Sequence, residues 1–217
     1  MAAARNPVVV KLGGSFAHSA HLRDWVAALA DCAGRAVIVP GGGPFADTVR
    51  VAQARIGFDD KAAHAMAILA MEQYGHALLS LNGALSPGDS VDAVRHGLAA
   101  GRVPVWLPAR MTLGEVELAP SWEVTSDSLA AWLLGKIGAE RLFLVKHVAM
   151  PPGRARVADM VAAGIVDSQF GRHLQASGGE AFIFGPADYG LAAEAIRAGT
   201  VAGVAVEGGA ADAPAMG

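Results

Sequence analysis

Apolar positions along the chain follow two different periods, and segments of the two kinds alternate. Short runs rich in Val and Ile predict strands at residues 8–12, 36–39, 103–107, 142–145, 181–184 and 201–206. Between these runs, apolar residues recur three and four positions apart and predict helices at residues 21–33, 45–56, 60–81, 91–100, 126–137, 157–163, 167–175 and 191–198. Strands that alternate with helices are typical of a parallel sheet covered on both faces. The pattern therefore predicts an α/β fold, a three-layer αβα sandwich around a mainly parallel central sheet.

The length of the chain favours one domain. We expect a single domain over residues 1–206 of the 217, followed by a Gly- and Ala-rich tail at 207–217 that is disordered. Residues 150–155 are expected to form a loop. Pro104 indicates that the strand at 103–107 is an edge strand, or that the proline lies at the end of its strand.

Composition narrows the class of protein. Hydrophobic residues make up 53% of the chain and charged residues 17%, against a usual charged share of about 25%, which excludes a disordered chain. The net charge is −3 and no stripe of Lys and Arg occurs, so we expect no nucleic-acid partner. One cysteine excludes an internal disulfide, and no apolar run reaches the roughly 18 residues of a membrane span. The apolar run at 7–10 is too short for a signal peptide, so a cytoplasmic location is expected.

The first candidate motif, KLGGS at residues 11–15, joins the first strand to a helix. The backbone N–H groups of Gly13 and Gly14 can approach an anion closely, and Lys11, one of only four lysines, adds a point charge for phosphate oxygens. The order of residues differs from that of a Walker A loop. A glycine-rich turn beside a solvated lysine is the alternative interpretation.

The second motif, PGGGP at residues 40–44, follows the second strand. Gly41, Gly43 and Ala46 formally match a dinucleotide-binding fingerprint, but that fingerprint belongs after the first strand, with an acid at the end of the next. The three glycines are better explained as a surface against which a small anionic substrate lies.

The third motif, TSD at residues 125–127, begins a helix. Thr125 or Ser126 is a suitable N-cap, and Asp127 falls in the first turn, where the helix dipole favours an acid. Taken alone, the motif indicates only a well-capped helix. All three motifs lie where strands or loops meet helices, however, and in a parallel sheet such ends share the edge at which ligands bind.

In this order the three motifs resemble the amino acid kinase family, which includes aspartate, acetylglutamate, uridylate and isopentenyl phosphate kinases. The resemblance covers about residues 6–206. It implies ATP as phosphoryl donor, Mg²⁺ held by the ATP rather than by a protein metal site, and a catalytic pair formed by Lys11 and Asp127. It implies phosphate or nucleotide contacts from Gly13, Gly14, Ser15 and Ser126. It implies acceptor contacts from Gly41, Gly42 and Gly43.

Within the family, the branch that phosphorylates (5-(aminomethyl)furan-3-yl)methyl phosphate to its diphosphate in methanofuran biosynthesis fits best. Residues 40–50, the helix that carries His64, and Trp122 ahead of the TSD motif carry this resemblance. It implies substrate contacts from Arg50, His64 and Trp122, although a surface arginine and a packed histidine are the plain alternatives. Asp167 is a candidate partner for the substrate amine.

The chain departs from the family pattern at two places. No histidine follows the PGGGP loop, which weighs against an isopentenyl phosphate kinase. Where relatives carry an acidic, glycine-containing nucleotide stretch, residues 144–149 read LVKHVA. Three alternatives stay open: Lys146 takes over a phosphate contact, ATP binds differently, or the nucleotide site is impaired. A solvated lysine at the end of its strand is the plain alternative for Lys146. A kinase for another small phosphate and a non-catalytic, anion-binding relative therefore remain alternatives. The family resemblance also implies a homo-oligomer built on the helix around residues 64–75.

Overall fold

The computed structural model describes residues 6–148 and 153–208. The strands are β1 (Val8–Leu12), β2 (Ala36–Pro40), β3 (Leu85–Gly88), β4 (Val103–Trp106), β5 (Arg141–Val145), β6 (Arg154–Arg156), β7 (Glu180–Phe184) and β8 (Val204–Glu207). The α-helices are α1 (Leu22–Ala30), α2 (Gly43–Ile56), α3 (Asp60–Leu79), α4 (Val91–Ala99), α5 (Ala109–Thr112), α6 (Ser126–Ile137), α7 (Val157–Ala162), α8 (Phe170–Ser177) and α9 (Tyr189–Ala198). A 3-10 helix spans Gly14–His18.

The strands form one sheet in the order β3-β4-β2-β1-β5-β7-β8-β6. Neighbouring strands are parallel except β7 and β8, which are antiparallel. β1 is central, with β2 on one side and β5 on the other, and its Leu12 is in register with Pro40 and Val145. The predicted α/β fold with a mainly parallel sheet is confirmed.

Each face of the sheet has its own hydrophobic core, because successive side chains of a strand point to opposite faces. On one face, Val9 and Leu144 pack with residues of α6 and α8. On the other face, Val10 and Val145 pack with residues of α1, α3 and α9. Both faces of the central strands are thus covered by helices, which accounts for their continuous apolar runs.

Three elements differ from the prediction. Neither β3 nor β6 has an apolar run: β3 reads LSPG and β6 reads RAR, and both owe their strand geometry to a neighbouring strand. α5 is a single turn of four residues, too short for periodicity. Because β3 lies outside β4, the expectation that the strand containing Pro104 is an edge strand is wrong. Pro104 is instead the second residue of its strand.

Two predicted segments, the loop at 150–155 and the tail at 207–217, lie partly outside the described residues. Residues 149–152 and 209–217 are the parts concerned. β8 runs to Glu207, the first residue of that tail. Among the described residues, none of the helices combines the length and the apolar character that crossing a membrane requires.

Candidate active site

Strand alternation brings two lysines to the same face of the sheet. Lys11 is two residues after Val9 on β1, and Lys146 is two residues after Leu144 on β5. Val9 and Leu144 belong to the core that packs against α6. Since β1 and β5 are adjacent and parallel, both ammonium groups lie at the carboxyl end of the sheet, on the α6 side.

The two lysines meet the carboxylate of Asp127, the second residue of α6. Lys11 Nζ lies 2.9 Å from Asp127 Oδ1, and Lys146 Nζ lies 2.8 Å from each of the two carboxylate oxygens. Lys146 also donates to the backbone carbonyl of Ile165. All three charged side chains are buried, with 5% to 8% of their residue surface exposed. They form one ion cluster in which two positive charges share one negative charge.

The pKa values of Asp127 and Lys146 are both lowered, for different reasons. Burial alone raises the pKa of Asp127, but the ammonium groups of Lys11 and Lys146 outweigh it, so the pKa lies below its usual value. For Lys146, burial lowers the pKa to about 8, although the carboxylate of Asp127 acts against this shift. Near neutral pH the cluster therefore keeps a carboxylate and a largely protonated Lys146.

The beginning of α6 is capped by a carboxylate from a distant part of the chain. Thr125 is the N-cap residue, but its side chain makes no capping bond to its own helix. Asp167 instead accepts hydrogen bonds from Thr125 N (3.0 Å), Thr125 Oγ1 (2.7 Å) and Ser128 N (3.1 Å), and from the hydroxyl of Ser128. Asp167 also accepts one from Gln169 N. Both of its oxygens are occupied, so the hypothesis that Asp167 binds a substrate amine is wrong, and its role here is to fix the helix that carries Asp127.

A cavity of about 270 Å³ opens next to the ion cluster. Ten of the residues proposed from the sequence line it: Lys11, Gly14, Ser15, Gly42, Gly43, Arg50, His64, Trp122, Ser126 and Asp127. Gly13, Gly41 and Lys146 are not part of the lining. The remaining wall is mostly apolar, from Ala46, Ala67, Ile68, Met71, Val124 and Leu129, with Asp47 and Thr125 as further polar members. The cavity thus joins a charged floor to an apolar wall.

The two glycine loops touch each other beneath this cavity. A Cβ atom added at Gly14 would lie 2.3 Å from Gly43 N, and one added at Gly41 would lie 2.2 Å from Gly14 N. Gly43 also has a positive φ of 56°, a conformation that L side chains rarely adopt. Gly41 is therefore needed for close packing of the loops, while Gly42 and Gly43 present the first N–H groups of α2, which have no partner within a helix.

Another part of the cavity lining comes from α2, α3 and the loop before α6. His64 is buried, and its Nδ1 donates to the carbonyl of Ser121 at 3.1 Å. Burial lowers the pKa of His64 despite this bond, so the ring is neutral near pH 7. Trp122 Nε1 donates to Gln53 Oε1 at 2.8 Å, and the guanidinium carbon of Arg50 lies 4.3 Å from the centre of the Trp122 ring.

Sequence reasoning missed two residues that shape this site, Asp47 and Gln53, and did not foresee that Asp167 caps α6. Asp47 and Gln53 lie on α2 with Arg50, and their spacing on a predicted helix was a usable signal, because residues three apart share a face. Asp167 had no comparable signal as a cap, since it is 42 residues from the threonine that it contacts. Its position depends on the packing of α8 against α6.

Known proteins match this chain both in sequence and in structure. The sequence matches are a family model and one relative. The model of the amino acid kinase family matches residues 6–150, which contain all three motifs. A [5-(aminomethyl)furan-3-yl]methyl phosphate kinase from Methanocaldococcus jannaschii is 29% identical over 133 residues, which are 59% of this chain and 60% of that protein. The chain thus matches less than two thirds of the length of this relative.

Solved structures match over nearly the whole chain. Uridylate kinase from Archaeoglobus fulgidus has a TM-score of 0.68 at 18% identity, over 93% of this chain and 100% of that chain. UMP kinase from Bacillus anthracis also has a TM-score of 0.68, at 16% identity, over 93% and 96%. An isopentenyl phosphate kinase has a TM-score of 0.58 at 17% identity, over 92% and 99%. At these identities the similarity establishes the fold alone.

Proposed function

Because the chain belongs to the amino acid kinase family, we propose that it transfers the γ-phosphoryl group of ATP to a small phosphate monoester and forms a diphosphate. The acceptor that we favour is (5-(aminomethyl)furan-3-yl)methyl phosphate, the compound in the name of the relative from M. jannaschii. The product would serve the synthesis of a methanofuran-type one-carbon carrier. Residues 146–149 differ from the acidic stretch that relatives carry at this place. This difference is compatible with the proposal, because Lys146 contacts Asp127 directly.

The observation that carries the proposal is the ion cluster at the floor of the cavity. Lys11 and Lys146 are two buried ammonium groups that share one carboxylate, so the cluster has a net positive charge. A buried excess of positive charge is costly unless an anion binds beside it. Phosphoryl transfer is catalysed mainly by positioning and by neutralising charge on phosphate oxygens, for which such a pair is suited.

The acceptor itself needs no general base. A phosphate monoester has a second pKa of about 6, so at neutral pH its attacking oxygen is already largely deprotonated. Asp127 accordingly has no proton to remove, and its oxygens are occupied by Lys11 and Lys146. We assign Asp127 the task of orienting the two ammonium groups. The N–H groups at Gly42 and Gly43 would hold the acceptor phosphate, and those of the turn at Gly13, Gly14 and Ser15 the transferred group.

The residues present fit a nucleotide that brings its own metal. In the described part of the chain, no group of three or more His, Cys, Asp or Glu side chains is arranged to hold a metal ion. Mg²⁺ is commonly bound through substrate phosphates with few protein carboxylates, which suits a site whose central carboxylate is engaged by lysines. When bound, MgATP supplies the phosphoryl group, and Lys11 and Lys146 would neutralise the charge of its phosphate oxygens.

We also propose that a second copy of the chain covers the outer surfaces of α2 and α3. A groove between these helices is lined by Phe45, Val49, Met66 and Leu69. Half of the ten large hydrophobic residues that are exposed in the described part of the chain lie on these two helices. An apolar surface of this kind is typical of an interface between subunits.

Incubation with MgATP and a panel of phosphate monoesters tests the proposed reaction. We expect ADP release with the aminomethylfuran phosphate and little with isopentenyl phosphate or UMP. Replacement of Lys11 by Met is expected to lower kcat by about 10²- to 10³-fold, the usual effect of removing one group that stabilises transition-state charge. Lys136→Met is the matched control, since Lys136 pairs with Glu117 near the other end of α6. Absence of ADP release with every acceptor, or a Lys11 variant as active as the control, would contradict the proposal.

A further inference from the structure

In the candidate active site, the guanidinium of Arg50 lies between an aromatic ring and a carboxylate. The guanidinium of Arg50 lies over the ring of Trp122, 4.3 Å from its centre, and its Nη1 donates to Asp47 Oδ1 at 3.0 Å. The ring is held in place by its bond to Gln53. Asp47, Arg50 and Trp122 all line the cavity. An aromatic face beside a carboxylate is a favourable environment for an organic cation.

Asp47 is the carboxylate of the cavity that remains available to a ligand. In the described part of the lining there are two carboxylates, and the other, Asp127, is bound by two ammonium groups. The ion pair between Asp47 and Arg50 is open to water, since their side chains are 75% and 52% exposed. Exposed pairs three residues apart contribute little to stability, so a ligand cation can replace Arg50 at small cost.

The distance to the phosphate region suits a short, bifunctional molecule. Asp47 lies four residues after Gly43, the first residue of α2, and hence about 6 Å farther along the helix axis. A molecule whose phosphate contacts the glycine loops would reach Asp47 and Trp122 with an arm about the length of one small ring. The apolar wall between these two ends, which includes Ala46, Ile68 and Met71, would face that ring.

We infer that Asp47 and the ring face of Trp122 form a binding site for the ammonium group of the acceptor, and that Arg50 holds this site in the ligand-free protein. The inference rests on the proposed function and deepens it, because it names the residues that would recognise the amine of the favoured acceptor. An acceptor that ends in an apolar chain gains nothing from this pair and leaves Arg50 in place. The site would thus distinguish aminated phosphate monoesters from apolar ones.

Calorimetric titration without nucleotide tests the site directly. The two probes are (5-(aminomethyl)furan-3-yl)methyl phosphate and its analogue with a methyl group in place of the aminomethyl group. We expect the wild-type protein to bind the aminomethyl probe at least about tenfold more tightly than the methyl analogue. In Asp47→Asn this preference should fall to within about twofold, while the methyl analogue binds as well as before or better, because Arg50 is released. Asp89→Asn, which breaks another exposed Asp–Arg pair outside the cavity, should keep the preference.

Two replacements of Trp122 isolate the contribution of its ring. Trp122→Phe and Trp122→Leu both lose the bond to Gln53, but only the phenylalanine keeps an aromatic face. We expect the phenylalanine variant to retain more of the amine preference than the leucine variant. Three results would overturn the inference. The wild type could bind both probes equally, the preference for the amine could survive in Asp47→Asn, or Asp47→Asn could weaken the binding of both probes equally. Measurement of ADP release distinguishes the two proposals. A protein that binds the amine selectively but releases no ADP contradicts the proposed reaction alone. A protein that releases ADP equally with both probes contradicts the amine site alone.

Discussion

At the scale of single residues, the charge of Lys146 makes the charge of the site depend on pH. Burial lowers its pKa to about 8, against a usual value of 10.5, and the nearby ammonium of Lys11 acts in the same direction while Asp127 opposes it. A neutral amine cannot neutralise phosphate oxygens. We therefore expect kcat/KM, which reports ionisations of the ligand-free protein, to fall as the pH rises through about 8. A profile of kcat/KM from about pH 6.5 to about pH 9.5 measures this.

The variant Lys146→Arg provides the control for this pH profile. A guanidinium remains charged throughout the range, so we expect a lower kcat/KM but no decline of kcat/KM caused by this group at alkaline pH. An alkaline decline of the same size in this variant would show that another group titrates. Unfolding does not mimic the effect: between about pH 8 and about pH 10.5 the unfolded chain binds more protons at Lys146 than the folded chain, so its contribution to stability rises with pH.

At the scale of secondary-structure elements, α6 depends on a cap supplied by the segment before α8. Replacing Asp167 by Asn removes a charged acceptor that serves Thr125 N, Thr125 Oγ1 and Ser128 N. We expect the free energy of unfolding to fall by about 2 kcal/mol, the usual range for a cap or for hydrogen bonds to a charged group. Because the first turn of α6 holds Asp127, kcat should also fall. Urea denaturation and kinetics measure the two effects, and unchanged values of both would rule out a positioning role.

The contact between the two glycine loops leads to a second prediction at this scale. The methyl group in Gly14→Ala would lie 2.3 Å from the backbone nitrogen of Gly43, so one loop must move. We expect the free energy of unfolding to fall by about 1–3 kcal/mol, with weaker binding of phosphate. Gly190→Ala is the matched control, since Gly190 lies in α9 with nothing within 4 Å of an added Cβ, and it should be neutral or slightly stabilising. Equal stability of the two variants would contradict the proposed packing.

These elements also show what could be predicted from the sequence. Continuous apolar runs predicted the central strands because those strands are buried on both faces, as Val8–Leu12 and Ala36–Pro40 are. The two-residue period of a strand, applied to Leu144, would even have placed Lys146 on the side of α6. β3 and the capping by Asp167 were not predictable in this way, because each is determined by contacts with residues distant in the sequence.

At the scale of the whole molecule, the order of the strands explains why the motifs meet. From the central β1, the chain first builds the sheet in one direction through β2, and β5 later continues it in the other. The crevice at such a reversal lies outside the carboxyl ends of the strands, where ligands bind in open α/β sheets. Lys11 lies near the end of β1, Lys146 follows β5, and the glycine loop follows β2. One edge of the sheet therefore collects groups that are far apart along the chain.

The proposed interface between subunits can be tested with a charge placed on α3. Leu69 is 45% exposed on α3 and lines the apolar groove between α2 and α3, so Leu69→Glu would place a charge in the proposed interface. We expect the wild-type chain to form a homo-oligomer by light scattering during size-exclusion chromatography, and the variant to shift towards the 22.1 kDa monomer. Val116→Glu is the control, because Val116 is 96% exposed and lies outside the groove, so a charge there should leave assembly intact. A wild-type protein that is monomeric at micromolar concentration, or an equal shift in both variants, would contradict an interface on α2 and α3.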